Sequence, residues 1–478
     1  MRQIALLFAV LFVSPLAGAA AEKPNFLFVF TDDQRYDAMS VVQAEQGERG
    51  RFPFLKTPHM DRLAAEGFRF RNAFAVNSLC APSRASFLTG CYGHVNGIVN
   101  NHTPLPLDSV TYASHLKQLG YTTGYVGKWH MGRQAERPTF DFAASFLGQG
   151  RYFDCPIVVN GKETPSTGWV DDVSTDYAIE FLRTNQGKPF CLTVGFKATH
   201  GPFDPPPRRA GDYEGQSARA APNLNTPAIY RAAAASPGAA AGAAPAGEVK
   251  TNLGYFRCIT AADDNLGRLL STLDELKLAE NTVVVFASDN GYYLGEHQLG
   301  DKRSAYEESL RIPLLVRYPR LGGRNKLIDA MVLNIDLAPT FIDLAGGAAD
   351  PAMQGRSFRP LLEGRTPGDW RKAWFYCYFF ENNFNTPLTT AVRTEAAKLI
   401  KYPGHPEWTE VFDLRTDPFE LQNLYRDPAA ADLVKQLEAE YDRQAKAVNF
   451  HIPAYADKPG DAPPKGGAKA KKHPARGR

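Results

Sequence analysis

Four short apolar runs, each ending in polar and ionisable residues, constrain this chain more than any other feature. Asn25 to Phe30 (NFLFVF) leads into Thr31-Asp-Asp-Gln-Arg35, and Tyr121 to Val126 leads into Gly127-Lys-Trp-His130. Phe190 to Phe196 leads into Lys197-Ala-Thr-His-Gly-Pro202, and Thr282 to Ala287 leads into Ser288-Asp-Asn-Gly291. Longer amphipathic segments separate the runs, which predicts strands joined by helical crossovers. The expected fold class is therefore α/β, with a large central mixed, mostly parallel sheet flanked by helices. In open sheets of this kind ligands bind beyond the carboxyl ends of the strands, where loops and helix starts converge. One aspartate after a strand is ordinary helix capping. Four strand ends bearing two acidic or acid-amide pairs and two lysine-histidine pairs are more than capping explains.

With 478 residues and 44% hydrophobic content, the chain can bury one large core and carry a smaller appended unit. After about residue 365 the pattern changes to aromatic, strand-like segments, Ala373 to Phe380 and Thr389 to Tyr402, followed by a helical run from Ala429 to Val448. These segments predict a small C-terminal α+β subdomain over 366–457, after a main domain over 22–365. An Ala/Gly/Pro-rich stretch at 231–248 cannot pack a core and is expected to be a flexible surface insertion. Residues 458–478, rich in Lys, Gly, Pro and Ala, read as a disordered basic tail.

Residues 1–21 carry a cationic start at Arg2, an apolar stretch from Ile4 to Leu16 and the small residues Ala17-Gly-Ala-Ala-Ala21, the pattern of a cleaved secretory signal. No later run approaches transmembrane length. The expected location is outside the cytoplasm, periplasmic or extracellular, with no transmembrane anchor. Basic and acidic residues number 54 and 51, a net charge of +3 that gives no reason to expect a nucleic-acid partner. Six scattered cysteines (80, 91, 155, 191, 258 and 377) match no metal-finger or redox spacing; an oxidising compartment would allow disulfides among them.

The most specific stretch is Cys80-Ala-Pro-Ser-Arg-Ala-Ser-Phe-Leu-Thr-Gly90, which satisfies C-x-P-S-R followed by x-x-x-L-T-G. Here the sequence resembles the type I sulfatases of the alkaline-phosphatase-like superfamily. The resemblance runs from Asn25 to about Asp427 and ends in Val411-Phe-Asp-Leu-Arg-Thr-Asp-Pro-Phe-Glu-Leu-Gln-Asn-Leu424. It implies hydrolysis of sulfate esters, a large α/β sandwich with a small antiparallel subdomain, and oxidation of Cys80 to formylglycine by a maturation enzyme. An unmodified thiol would serve poorly, because releasing sulfate from sulfur would need a second displacement there; a hydrated aldehyde can instead collapse to its carbonyl.

By the same resemblance Asp32, Asp33, Asp289 and Asn290 are metal ligands, joined by an oxygen of modified Cys80. An all-oxygen set suits calcium first and magnesium second. Arg84 is expected to hold the hydrated aldehyde, with Lys128 and Lys302 binding sulfate. His200 is the expected contact of the leaving ester oxygen, His130 assists the hydroxyl whose deprotonation releases sulfate, and His297 is expected either to be structural or to support the site from behind the residues that touch substrate. Gly93-His-Val-Asn-Gly-Ile-Val-Asn-Asn101, Gly148-Gln-Gly-Arg-Tyr-Phe-Asp154 and Leu299-Gly-Asp-Lys-Arg-Ser-Ala-Tyr-Glu-Glu308 look more like bacterial N-acetylglucosamine-6-sulfatases than like iduronate-2-sulfatases. The implied substrate is a sulfated carbohydrate, with a 6-O-sulfated sugar as the specific expectation. Two departures stand out: the 231–248 insertion, and Cys91 where many relatives carry a basic residue. Two rival readings share these residues: a formylglycine-dependent phosphonate monoesterase or phosphodiesterase, and an inactive relative that binds sulfated glycans.

Overall fold

Along Asn25–Thr31 successive side chains turn to opposite faces of a sheet, with Phe26, Phe28 and Phe30 in one apolar cluster and Leu27 and Val29 in another. All seven residues are buried, which is why the run lacks polar alternation. The computed structural model describes residues 23–132, 136–137, 139–234, 246–382 and 384–456. Both the signal-like segment at 1–21 and the basic tail at 458–478 lie outside the described residues.

The main sheet has ten strands. From one edge to the other they are Lys326–Ile328, Phe68–Phe70, Leu314–Arg317, Thr282–Ser288, Asn25–Thr31, Phe190–Gly195, Thr122–Lys128, Phe142–Phe146, Ile157–Val159 and Lys162–Thr164. From Thr282–Ser288 to Phe142–Phe146 every neighbour is parallel; strands toward the two edges bring in antiparallel pairs. The helices Val170–Asn185 and Leu253–Glu275 cover the face of Leu27 and Val29, and Cys80–Thr89 and Leu337–Leu344 cover the other. Each large apolar side chain buried in these two layers contributes roughly 1.5–3 kcal/mol relative to exposure. Stability therefore rests on the sheet core. All six cysteines are buried and free, so no disulfide reinforces it.

Register aligns the four predicted strand ends. Thr31 stands opposite Ser288, Phe30 opposite Gly195, and Gly127 opposite Gly195. The residues that follow leave the sheet side by side at one edge. Two glycines make this possible: Gly127 has φ +87°, and a Cβ placed on it would come within 2.1 Å of the Gly195 carbonyl oxygen. The strand at Thr122 runs on through Lys128, two residues beyond the predicted run, so that lysine sits on the last residue of the strand.

The C-terminal unit is a four-stranded antiparallel sheet of Ala373–Tyr378, Thr389–Thr394, Ala397–Lys401 and Glu410–Asp413, with Ala431–Ala447 packed on it through Leu437. The segment predicted as one strand from Thr389 to Tyr402 is in fact two, because Glu395 and Ala396 turn the chain back. Residues at both margins of the Ala/Gly/Pro-rich stretch take regular structure, against the expectation for the whole: Arg231–Ala234 end the helix Ile229–Ala234, and Glu248–Val249 pairs with Ala218–Arg219. Alanine's high helix propensity accounts for the first. Residues 235–245 lie outside the described residues. No helix among the described residues is long and apolar enough to cross a membrane.

Candidate active site

Beyond the aligned strand ends, one carboxylate oxygen from each of Asp32, Asp33 and Asp289 lies within 4.8 Å of the others. Backbone bonds carry the sheet order into these loops: Asp289 N donates to the Thr31 carbonyl at 3.0 Å, Asp32 N to Ala198 at 2.8 Å, and Thr199 N to Asp32 at 2.6 Å. Asp33 N donates to Asp289 Oδ1 at 3.2 Å, and Asn290 Nδ2 to Asp33 Oδ1 at 2.7 Å. The Asn290 side-chain oxygen is buried and has no hydrogen-bond partner among the described residues. A buried acceptor without a donor costs about 1–3 kcal/mol, so an oxygen left open beside three carboxylates fits a hard cation.

Cys80 opens the helix Cys80–Thr89 across from these acids, its Sγ 3.4 Å from Asp32 Oδ1. Helical spacing brings Ser83 and Arg84, three and four residues on, to the same face. The Ser83 hydroxyl donates to the Asp289 carbonyl, and Asn334 Nδ2 donates to Ser83 Oγ at 2.9 Å. Arg84 spans the two acidic strand ends, with Nε donating to Asp289 Oδ2 at 2.9 Å and Nη2 to Asp32 Oδ2 at 3.2 Å, while Nη1 donates to the Lys128 carbonyl at 2.6 Å. The Lys128 ammonium binds the Asp32 carboxylate and Gln149 Oε1, the latter at 2.5 Å. Lys302 Nζ donates to Asp33 Oδ2 at 2.7 Å.

Three carboxylates thus face three cations out of water. Burial alone would raise Asp32, but Lys128, Arg84 and Lys302 together hold it well below the ordinary carboxylate range. For Asp289 burial wins, aided by repulsion from Asp32, and its pKa rises to about 7 against the pull of Arg84. Burial and the neighbouring Asp32 push the Cys80 thiol up to about 12, so the unmodified sulfur is a neutral thiol and a poor nucleophile. Burial and the charges of Lys302 and Lys128 bring His200 down to about 2, and burial with Lys128 keeps His130 well below its usual value. Both imidazoles are neutral in the free site.

A cavity of about 830 Å³ opens over this floor, lined by Asp33, His130, Gln149, His200, Tyr292 and Lys302 among others. Asp32, Cys80, Arg84 and Lys128 are fully buried and do not line it. His130 has φ +60°, and its Nδ1 is buried without a partner among the described residues. His200 Nδ1 lies 2.9 Å from the Gly201 carbonyl. Its outer wall joins the two units: Glu381, from the C-terminal unit, accepts from Arg303 Nε at 2.8 Å and from Asn101 N at 3.2 Å, and the Arg303 guanidinium lies over the Phe384 ring.

The structure brings together Asp32, Asp33, Cys80, Arg84, Lys128, Asp289, Asn290 and Lys302, and sets His130 and His200 on the cavity wall. His297 is away from the cavity, buried with its ring stacked on Tyr306 at 3.9 Å. Sequence reasoning assigned no role to Gln149, Lys197 or Asp171. Gln149 had a readable signal, a polar side chain between two glycines directly after an apolar strand. Asp171 had none: it accepts from Lys197 N at 2.7 Å and from Ala198 N at 2.9 Å, and only the packing of Val170–Asn185 brings it there.

A family model described as "Sulfatase" matches residues 24–348, and one described as "N-sulphoglucosamine sulphohydrolase, C-terminal" matches residues 295–447. An N-acetylglucosamine-6-O-sulfatase of Bacteroides thetaiotaomicron is 32% identical, the match covering 87% of this chain and 85% of that protein. A structure solved in complex with its substrate, D-glucosamine-2-N,6-O-disulfate, superposes with a TM-score of 0.79 at 30% identity and covers 90% of this chain and 98% of its own. The phosphonate monoester hydrolase of Agrobacterium radiobacter has the same fold, with a TM-score of 0.72 at 23% identity over 89% of this chain and 96% of its own.

Proposed function

This chain belongs to the sulfatase family and is a sulfuric ester hydrolase, and from that premise we propose that it removes sulfate from O-sulfated carbohydrates, with a 6-O-sulfated N-acetylglucosamine unit as its substrate class. One observation carries the reading: Cys80 sits at a helix start against Asp32, with two lysines and two neutral histidines around a sugar-sized cavity. The substrate class is supported by the named specificity of the relative and by the substrate in the superposed structure.

Cys80 would be converted to formylglycine by a maturation enzyme that reads Cys80-Ala-Pro-Ser-Arg84. The hydrated aldehyde supplies two hydroxyls on one carbon, one to attack sulfur and one whose later loss of a proton expels sulfate. Asp32, Asp33, Asp289 and Asn290 would hold a divalent cation together with an oxygen of the modified residue, calcium first and magnesium second by their oxygen donors. Such an ion supplies positive charge beside the reacting sulfur.

The chain's own residues do the rest. Lys128 and Lys302 neutralise the sulfuryl oxygens, and Arg84 keeps Asp32 and Asp289 in place while supporting the hydrate one helical turn away. The Nδ1 of His130, without a partner among the described residues, can take the proton whose loss expels sulfate. His200 is placed to give a proton to the leaving ester oxygen; burial and the two lysines keep the imidazole neutral in the free site, and a bound sulfate ester offsets the lysine part of that effect. The signal-like pattern at 1–21 supports export, placing the enzyme where oligosaccharides are met.

The test is a rate comparison on defined glycans. Protein with the residue-80 peptide verified by mass as the aldehyde or its hydrate should cleave 6-O-sulfated N-acetylglucosamine faster than its 3-O- and 4-O-sulfated isomers and a matched phosphonate ester. Cleavage of aryl sulfates with no activity on any sulfated glycan would overturn the substrate class. Faster turnover of the phosphonate would overturn the preference for sulfate.

A further inference from the structure

Gly148 and Gly150 both have positive φ, +59° and +60°, and the tight loop they form presents the Gln149 side chain to the site. Gln149 meets two buried ammonium groups. Its Oε1 accepts from Lys128 Nζ at 2.5 Å, and its backbone oxygen accepts from Lys197 Nζ at 3.0 Å. Lys197 is 1% exposed and lies 4.9 Å from the centroid of the Tyr152 ring. Tyr152 is stacked on Trp169, and its hydroxyl donates to the backbone oxygen of His200 at 2.6 Å. A single four-residue segment therefore touches the sulfate-binding lysine at one end and the histidine of the leaving group at the other.

We infer that residues 149–152 are a brace that fixes the separation between Lys128 and His200, with Gln149 positioning Lys128, Tyr152 positioning His200, and Lys197 tying the segment to the loop that carries His200. The inference rests on the roles proposed above for those two residues. Its physical basis is the shape of the substrate: a sulfate ester offers sulfuryl oxygens at one end and a bridging oxygen at the other, so the groups that bind them must keep a set distance. Lys128 is fixed to the end of a strand, whereas His200 rides on a loop. Without Gln149, Asp32 is the remaining side-chain partner found for the Lys128 ammonium, and the amine would be drawn off the sulfate side. Without the Tyr152 hydroxyl the His200 carbonyl loses the side-chain donor that holds it.

Leaving-group dependence separates the His200 end of the brace from general destabilisation, and the melting temperature does so for the Lys128 end. A sugar alkoxide needs a proton to leave, and 4-nitrophenolate does not. We expect Tyr152→Phe to lower the ratio of kcat on a 6-O-sulfated sugar to kcat on 4-nitrophenyl sulfate by about tenfold, in the same direction as His200→Ala. Gln149→Ala should lower kcat/KM on both substrates by a common factor of about ten, leaving the ratio unmoved, because both substrates carry the same sulfuryl group. Lys197→Met should lower both rates and the ratio together. Simple unfolding would cut both substrates equally and lower the melting temperature, so Gln149→Ala must lose activity at an unchanged melting temperature; full activity, or a loss that only tracks a lowered melting temperature, would overturn the Lys128 end of the brace. If His200→Ala shifts the ratio and Tyr152→Phe does not, the brace is wrong while the role of His200 stands. If His200→Ala leaves the ratio unchanged, the role of His200 falls and the brace falls with it.

Discussion

Lys302 and Asp33 meet at 2.7 Å inside the protein although 269 residues separate them in the chain. Burial raises the Asp33 pKa despite that contact, and for Lys302 the pull of Asp33 outweighs burial and holds its pKa well above the usual value. Removing the lysine leaves Asp33 buried without the ammonium partner it has among the described residues, a loss of about 3–5 kcal/mol for a broken buried pair. Lys302→Ala should therefore lower both the melting temperature and kcat/KM, the latter by roughly 10²–10³-fold if the ammonium also meets the sulfate. Unchanged kcat/KM with a lowered melting temperature would reduce Lys302 to a structural counter-ion.

Cys80 is fully buried at a helix start, and its thiol is neutral. Cys80→Ala removes one buried sulfur atom, a loss of about 0.5–1.5 kcal/mol by comparison with one buried methylene, which moves the melting temperature by only a few degrees. Activity should fall to background while the circular dichroism spectrum and melting temperature stay close to those of the parent. Residual turnover at more than a few per cent of the parent rate would remove Cys80 from the chemistry.

Asp32, Asp33, Asp289 and the open Asn290 oxygen are the proposed cation site. Calcium added to chelator-treated protein should raise the melting temperature in a concentration-dependent way, with a stabilisation of about 2.7 kcal/mol at a hundredfold excess over Kd. Asn290→Leu should move that titration to higher calcium, and Asp289→Asn further still. Identical titrations in parent and variants would place the ion elsewhere.

Glu410 lies between two tyrosines, with Tyr402 donating at 2.8 Å and Tyr306 at 3.0 Å, and burial pushes its pKa up to about 7. The folded protein keeps a proton on this carboxyl at pH values where the unfolded chain, near 4.3, has lost it. The group's contribution is complete below the unfolded value and is lost as pH rises toward 7. Glu410→Gln cannot ionise, so its melting temperature relative to the parent should climb by several degrees between pH 4.5 and 7.5, an effect on the order of 1–3 kcal/mol. Parallel melting curves over that range would show that the carboxyl does not titrate there.

Gly127→Ala places a methyl 2.1 Å from the Gly195 carbonyl oxygen at a φ of +87°, and neither strand can move without parting the sheet. A loss of about 3 kcal/mol or more is expected, read as a lower urea midpoint. An unchanged midpoint would mean that the strand ends are not held as closely as described.

The strand ends were legible because an unbroken apolar run and the polar residues after it are local signals. Asp32-Asp33 and Asp289-Asn290 could be paired on sequence only through resemblance; in the fold they pair because Thr31 and Ser288 share a register. The turn at Glu395 and Ala396 escaped notice because no glycine, proline or asparagine marks it. Lys197 escaped for another reason: its partner, the backbone oxygen of Gln149, has no signature in any sequence. Asp171 lies in the first turn of the helix Val170–Asn185, and its bonds to Lys197 N and Ala198 N arise only from packing.

Glu381 reaches from the C-terminal unit to Asn101 and Arg303 at the cavity mouth, while the buried floor belongs wholly to the main sheet and its loops. The buried floor and the part of the cavity wall made by Glu381 and Phe384 thus come from different stretches of the gene. Exchanging 373–447 between relatives would graft a new mouth onto an unaltered hydrolytic base, provided the buried Tyr306–Glu410 and Glu307–Lys398 contacts across the seam are carried over. A lineage could change its range of sulfate esters by recombination at that seam, without passing through an inactive ancestor.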